Sequence, residues 1–303
     1  PNDPRVADES FQHLRPVCAE ICGGVSYLVT ETVTSGLTVC TAVKDVLECG
    51  DRDGCQEESV QDGHCITRKM KAGIREGETV RLVKYTVFTD SIRYENCRRE
   101  AETAMIRALS VPLEDWYRQQ REYLDEFWEQ SALDIEGDDD LAVAVRYNLY
   151  QLLQSAGKDE HSNIAAKGLS GEGYEGHYFW DTEMYMQPFF TLTNPEISAN
   201  LIAYRYSILD AARENARIMG HRKGALYPWR TISGAECSGF FPAGSAQYHI
   251  DGDIAYAVTA YYLATGDLEL MAEKGAEIIF ETARLWMDAG NFHRGKFYIN
   301  DVT

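Results

Sequence analysis

After Arg93 the apolar residues of this chain stop following a strand-like pattern and begin to recur every three or four positions. A period of two belongs to a strand with one face buried, and a period near 3.6 to an amphipathic helix. The chain therefore reads as a β half followed by a helical half. Its 303 residues suffice for one large domain or two ordinary ones.

In the first half, residues 26–34 are rich in β-branched side chains, Ser35-Gly36 interrupts them, and residues 37–43 resume the pattern. That is a hairpin signature. Residues 64–69 and 79–88 read as a second pair turning at Glu76-Gly77, and the acidic, glycine-containing stretch 49–63 reads as loop. The strands suggest part of a β-sandwich, the rest of it expected upstream of Pro1. Helical periodicity then covers 100–109 and 113–130, with Pro112 at a first turn, where proline is tolerated. These helices are expected to link the β domain to an all-α one. Asp138 to Asp140 offer an N-cap for a helix through Ser155. Further helices are expected over 196–219, 246–264 and 268–289, with Gly266 as a C-cap and Asp267 as an N-cap. Long helices joined by short turns form either a bundle or a double ring.

Basic residues number 29 against 48 acids, a net charge of -19. A field of that sign repels nucleic acid, and no Lys/Arg-rich run offsets it. No apolar stretch approaches the roughly 18 residues of a membrane span, and Pro1-Asn-Asp-Pro4 does not open a signal peptide. No nucleic-acid or membrane partner is expected, and the expected location is cytoplasmic. Cys18, Cys22, Cys40, Cys49, Cys55, Cys65 and Cys97 all fall before residue 100, with Cys237 apart. They form no CxxC pair and no zinc-like spacing with histidine, so reduced thiols without a metal are expected.

Two segments do not read as core. In Lys167-Gly-Leu-Ser-Gly-Glu-Gly-Tyr-Glu-Gly-His-Tyr-Phe-Trp-Asp-Thr-Glu183 the glycines disfavour helix and strand alike. They lead into His177, Trp180, Asp181 and Glu183. An indole can pack on the C–H face of a pyranose while a carboxylate accepts hydrogen bonds from adjacent hydroxyls. The competing reading makes Trp180 a lid on the core and Asp181 and Glu183 helix caps. The second segment runs from Leu226 to His249 and holds Arg230 and Glu236. A loop of about twenty residues inside a helical domain is usually functional; the bland alternative is a surface meander held by Phe240 and Phe241. His249 reads as a satisfied helix-start residue.

These same stretches carry a resemblance. Gly173-Tyr-Glu-Gly-His-Tyr-Phe-Trp-Asp-Thr-Glu183, Leu226-Tyr-Pro-Trp229, Pro242-Ala-Gly-Ser-Ala-Gln-Tyr-His-Ile250 and Tyr298-Ile-Asn-Asp-Val-Thr303 resemble, in order, glycoside hydrolase family 65. That family includes maltose, trehalose, kojibiose and nigerose phosphorylases. The resemblance implies a mixed fold: the C-terminal part of a β-sandwich domain (1–97), a helical linker (98–135), and the N-terminal part of an (α/α)6 barrel (136–303). It implies that Trp180 and Asp181 hold the non-reducing glucose, with His177, Arg230 and Glu236 as further substrate-binding candidates. The general acid, a glutamate, is expected just after Thr303, and the phosphate-binding residues further on, so no catalytic residue is expected in this chain itself. The implied reaction is inverting phosphorolysis of an α-linked disaccharide to β-glucose 1-phosphate and an acceptor sugar. Phosphate is then a co-substrate, no cofactor is needed, and a homodimer is expected. A family-65 hydrolase such as a trehalase, or a non-catalytic sugar-binding protein, are the rivals. The loop 231–241 is expected to select the acceptor, and Cys237-Ser-Gly239 is closer to the kojibiose, nigerose or trehalose type than to the maltose type.

Overall fold

The structure, a computed structural model, describes residues 12–49, 55–171, 173–239, 243–300 and 302. The described residues fall into two compact units, one ending at residue 122 and the other beginning at residue 123.

The first unit is a sheet backed by a helix. Strands β1 (Leu14–Cys22), β2 (Val25–Thr32), β3 (Thr38–Cys49) and β6 (Val80–Asp90) form an antiparallel sheet in the order β1-β2-β3-β6. Strands β4 (Cys55–Asp62) and β5 (Cys65–Ala72) form a separate hairpin. One face of the four-stranded sheet buries Val25, Tyr27, Cys40 and Ala42 against Cys97, Ala101 and Met105 of helix α1 (Cys97–Ser110). The helix is capped by Asn96, whose side chain accepts from the N–H of Arg99 at 2.9 Å.

The hairpin β2–β3 matches the sequence expectation; the second pair does not. Strand β5 pairs with β4, in the stretch read as loop, while β6 pairs with β3. The reason lies in burial. Nearly every residue of β4 is exposed, so its polar run Gln56-Glu-Glu-Ser59 had no need to alternate. Its usable signal was Asp62-Gly63, a turn dipeptide with Gly63 at φ +56. Strand β1 was missed for the same reason, and the glycines that turn it into β2, Gly23 and Gly24, also have positive φ. Cys49 and Cys55 are joined as a disulfide, which corrects the expectation of uniformly reduced thiols. Cys49 is the last residue of β3 and Cys55 the first of β4.

Helix α2 (Leu113–Ser131) starts just after Pro112, whose carbonyl accepts from the N–H of Asp115. Asp138 caps α3 (Asp139–Ser155) through Leu141 N–H at 2.9 Å, as its position in the sequence suggested. In the second unit a π-turn (Thr182–Met186) leads into α4 (Gln187–Thr193). The helix expected over 196–219 is two: α5 (Pro195–Ser207) and α6 (Leu209–Ile218). Ile208 leaves the helical region (φ -101, ψ 8) and buries its side chain. Helix α7 (His249–Thr265) ends on Gly266 at φ +70. Asp267 then caps the short α8 (Leu268–Leu270), which continues through a π-turn into α9 (Ala276–Ala289). A hairpin of β7 (Gly290–His293) and β8 (Lys296–Ile299) follows. Among the described residues no helix is long and apolar enough to cross a membrane.

The core of this unit, Ile202, Tyr204, Leu209, Ala212, Tyr227, Ile250, Ile254, Val258 and Ile278, joins α5, α6, α7 and α9 around the segment that enters the long loop. Tyr178, Trp180 and Trp229 pack on its edge. The two segments picked out by composition are therefore seated on the same core.

Candidate functional site

The two segments meet through backbone. Tyr178 N–H donates to Thr231 O at 2.8 Å and Thr231 N–H to Tyr178 O at 3.1 Å, an isolated antiparallel bridge. Rings reinforce it: Phe179 lies edge-on to Trp229 at 5.3 Å and to Tyr174 at 5.2 Å. Aromatic pairs of this geometry contribute about 0.5–1.5 kcal/mol beyond their burial. Tyr174 and Glu175 both sit at positive φ, 52° and 53°. Two successive non-glycine residues in that region are strained, and such strain concentrates at sites where structure serves function.

Arg230 reaches across the bridge, its Nη2 lying 3.2 Å from Glu175 Oε2 and 3.4 Å from both Tyr174 O and His177 Nδ1. His177 donates from Nδ1 to Tyr174 O at 2.7 Å when that nitrogen carries the proton. Burial pushes the His177 pKa down, and the Arg230 charge adds to this, so the ring is neutral at pH 7. A neutral ring with its proton on Nδ1 keeps Nε2 as an acceptor. His177 and Arg230, far apart in sequence, thus share one corner of the site.

Trp180 is half-buried, edge-on to His249 at 4.8 Å and tilted against Tyr185 at 5.7 Å. His249 opens α7, where its Nδ1 is 2.7 Å from Asp253 Oδ2, in keeping with a satisfied helix-start residue. Asp181 is exposed and makes no side-chain cap hydrogen bond to the turn that follows it. The helix-cap alternative for Asp181 therefore fails, and its carboxylate is available. Glu236 differs from expectation. Its Oε2 accepts from Trp229 N–H at 2.6 Å and its Oε1 from Ser238 N–H at 2.7 Å. It staples the loop to itself, so both oxygens are already engaged. Phe240 and Phe241, the anchors of the bland reading, lie outside the described residues.

Sequence reasoning singled out Glu183 but missed its partner underneath, Arg205. Glu183 and Arg205 are 2% and 1% exposed and form a bidentate pair, both N···O distances 2.7 Å. Arg205 Nη2 also donates to Phe179 O at 3.2 Å. One guanidinium thus grips the chain on both sides of Trp180-Asp181. Burial works against its charge, but the Glu183 carboxylate outweighs burial and raises its pKa. Arg205 O accepts from Tyr227 OH at 3.0 Å, and Tyr227 N–H donates to Asp251 Oδ1 at 2.9 Å, which extends the support to the second loop.

Asp251 is fully buried, with Oδ2 lacking a partner among the described residues. Burial lifts its pKa well above the ordinary 3.8, and the Tyr227 N–H only partly opposes this. The native chain therefore retains a proton that the unfolded chain releases. That contribution to stability is complete below 3.8 and is lost as pH rises from there through the raised native value. Asp251→Asn keeps an oxygen for Tyr227 and cannot ionise. Its melting temperature should exceed that of the parent at about pH 8, with the gap closing towards about pH 4. A gap independent of pH in thermal melts would exclude Asp251 as its source.

Residues 1–127 match the N-terminal domain of glycosyl hydrolase family 65, and residues 146–303 match that family's central catalytic domain. The chain belongs to glycosyl hydrolase family 65. It is 48% identical to an α,α-trehalose phosphorylase of Geobacillus stearothermophilus, over 100% of this chain and 39% of that protein. An α,α-trehalose phosphorylase of Thermoanaerobacter brockii is 41% identical over 96% of this chain and 38% of its own length. A kojibiose phosphorylase of the same organism is 42% identical over 60% of this chain and 25% of its own. A solved structure from the human microbiome, assigned provisionally as a kojibiose phosphorylase, superposes with a TM-score of 0.84. It is 25% identical over 96% of this chain and 39% of that one. The chain thus spans about two-fifths of the length of relatives it matches end to end (39%).

Proposed function

We propose that this chain supplies the donor-glucose subsite of an inverting phosphorylase that cleaves an α-glucosyl disaccharide, α,α-trehalose in the first instance. The observation that carries the proposal is the Trp180-Asp181 pair: an aromatic face and an available carboxylate, gripped from below by Arg205. The similarity to α,α-trehalose phosphorylases along nearly the whole chain supports the substrate, as does Cys237-Ser-Gly239 in the loop assigned to acceptor choice.

In such a reaction phosphate attacks C1 from the face opposite the leaving sugar. The C1–O bond to that sugar breaks as the new bond to phosphate oxygen forms, and a carboxylic acid delivers its proton to the departing oxygen. Inverting hydrolysis needs a second carboxylate to activate water; phosphate is already anionic and needs none. The acid and the phosphate-binding groups are assigned to sequence beyond Thr303. Asp181 is a binding residue, whose hydrogen bonds to the glucose hydroxyls tighten as the ring flattens. His177 and Arg230 border the same subsite, and Glu236 shapes the acceptor loop from inside. We assign residues 1–97 to a β-sandwich, 98–135 to a linker and 136–303 to part of an (α/α)6 barrel. Cys18, Cys22, Cys65 and Cys237 remain as exposed free thiols beside the Cys49–Cys55 pair, which favours a cytoplasmic location.

The test is product analysis with the full-length polypeptide that contains this chain. Trehalose plus phosphate should give β-glucose 1-phosphate and glucose, with little cleavage when phosphate is omitted. Equal cleavage without phosphate would make the protein a hydrolase, and turnover of kojibiose or nigerose alone would move the substrate assignment.

A further inference from the structure

Away from the sugar loops, a cavity of about 480 Å³ opens between α6, α9 and the stretch from His221 to Gly224. Arg213, Arg217, Arg222, Lys223, Arg284 and His221 line it, with Glu281 the carboxylate among them. In a chain of net charge -19 such a lining is out of character. We infer that this cavity binds a phosphate group, either inorganic phosphate or that of a phosphorylated sugar, separately from the glucose-binding loops.

Ion pairing accounts for part of the cluster. Arg213 reaches Asp210, Glu277 and Glu281; Arg217 reaches Glu214; Arg284 reaches Glu281. The C-terminal end of α6 adds a reason for Arg217, which lies in its last turn. Neither reason covers Arg222 and Lys223, which lie beyond the helix, are exposed and form no side-chain ion pair among the described residues. The Arg222 backbone N–H, not its guanidinium, bonds Asp288 at 2.8 Å.

The loop that carries these two cations is fixed in place. Gly224 at φ +88 lies so near α9 that a Cβ would stand 2.3 Å from Leu285 N and 2.6 Å from Glu281 O. Ala225 N–H bonds Glu281 O at 3.1 Å, and Leu226 N–H bonds Ala212 O at 3.0 Å. His221 is held by Tyr248 OH, and its Nδ1 is 3.4 Å from Asp288 Oδ2. A guanidinium group matches phosphate oxygens two at a time, and an ammonium group adds a point charge. The volume lies within the roughly 300–1,000 Å³ of small-molecule sites, which leaves room for a sugar beside the phosphate. None of the lining residues belongs to the corner formed by Trp180, Asp181, His177 and Arg230.

Isothermal titration calorimetry of the full-length polypeptide at low ionic strength tests this, with inorganic phosphate and glucose 6-phosphate as separate probes and the co-substrate site resolved as its own stoichiometric step. Both should bind saturably, more weakly as salt is added. Arg222→Ala with Lys223→Ala should weaken binding by about tenfold or more, while Asp181→Ala leaves it unchanged. Tighter binding of glucose 6-phosphate assigns the site to a phosphorylated sugar, and equal binding assigns it to the free anion. Should the paired variant melt early, Arg284→Gln, at an exposed position, is expected to weaken binding in the same direction. Absence of saturable binding beyond the co-substrate site, a further site that persists in these variants, or one lost only with Asp181→Ala would each overturn the inference.

Discussion

Asp181→Ala in the full-length enzyme is expected to lower kcat/KM by about two to four powers of ten and to leave the melting temperature almost unchanged. Hydrogen bonds to a charged group are worth about 1.5–3 kcal/mol each. A carboxylate holding two sugar hydroxyls therefore risks about 3–6 kcal/mol of transition-state stabilisation, at about 1.4 kcal/mol per tenfold. The structure separates this effect from folding. Asp181 is exposed and bonds no backbone N–H of the turn after it, so its removal strips nothing from the fold. Asp181→Asn keeps the shape but replaces one acceptor oxygen with a donor and removes the charge, so its loss should be smaller yet still large. Steady-state phosphorolysis beside thermal melts decides the matter. A normal rate with a lowered melting temperature would make Asp181 a structural residue after all.

How the sequence announced these features depended on burial and on distance along the chain. The β2–β3 hairpin was legible because its strands carry β-branched side chains around a glycine turn. Strands β1 and β4 were not, since their mostly exposed residues impose no alternation. Helix α7 and the caps at Asp138, Gly266 and Asp267 followed from local chemistry, which is what sequence reports best. The two loops stood out by composition, but their junction, the Tyr178–Thr231 bridge, joins residues too far apart for any local pattern to foretell. Arg230 and Glu236 illustrate the limit. Both were picked as polar groups for a sugar; one does face His177 across the bridge, while the other turns inward to hold Trp229 and Ser238. Arg205 was hidden because an arginine at that spacing in a helix reads as a solvated face. Only the packing of α5 reveals that it is buried.

Arg205 also yields the largest expected effect on stability, and it links fold to site. Removing one partner of a buried ion pair strands the other charge, at a cost of about 3–5 kcal/mol. Arg205→Met or Glu183→Leu alone should therefore lower the melting temperature by roughly 6–20 °C, at about 2–4 °C for each 1 kcal/mol in a unit of this size. Arg205→Met and Glu183→Leu together remove both charges and fill the space with apolar side chains. Buried pairs replaced this way often lose nothing, so the double variant should recover most of that temperature. Activity should behave differently. In the parent, Arg205 donates to Phe179 O on one side of Trp180-Asp181 and to Glu183 on the other. A methionine restores packing but cannot donate, so the carbonyl of Phe179 is left without that partner and the dipeptide is free to shift. The double variant is thus expected to melt near the parent while its kcat/KM stays at least about tenfold lower, since small misplacements at a reacting centre are costly. If both stability and rate return together, the pair is a packing element alone, and the grip on Trp180-Asp181 has no part in catalysis.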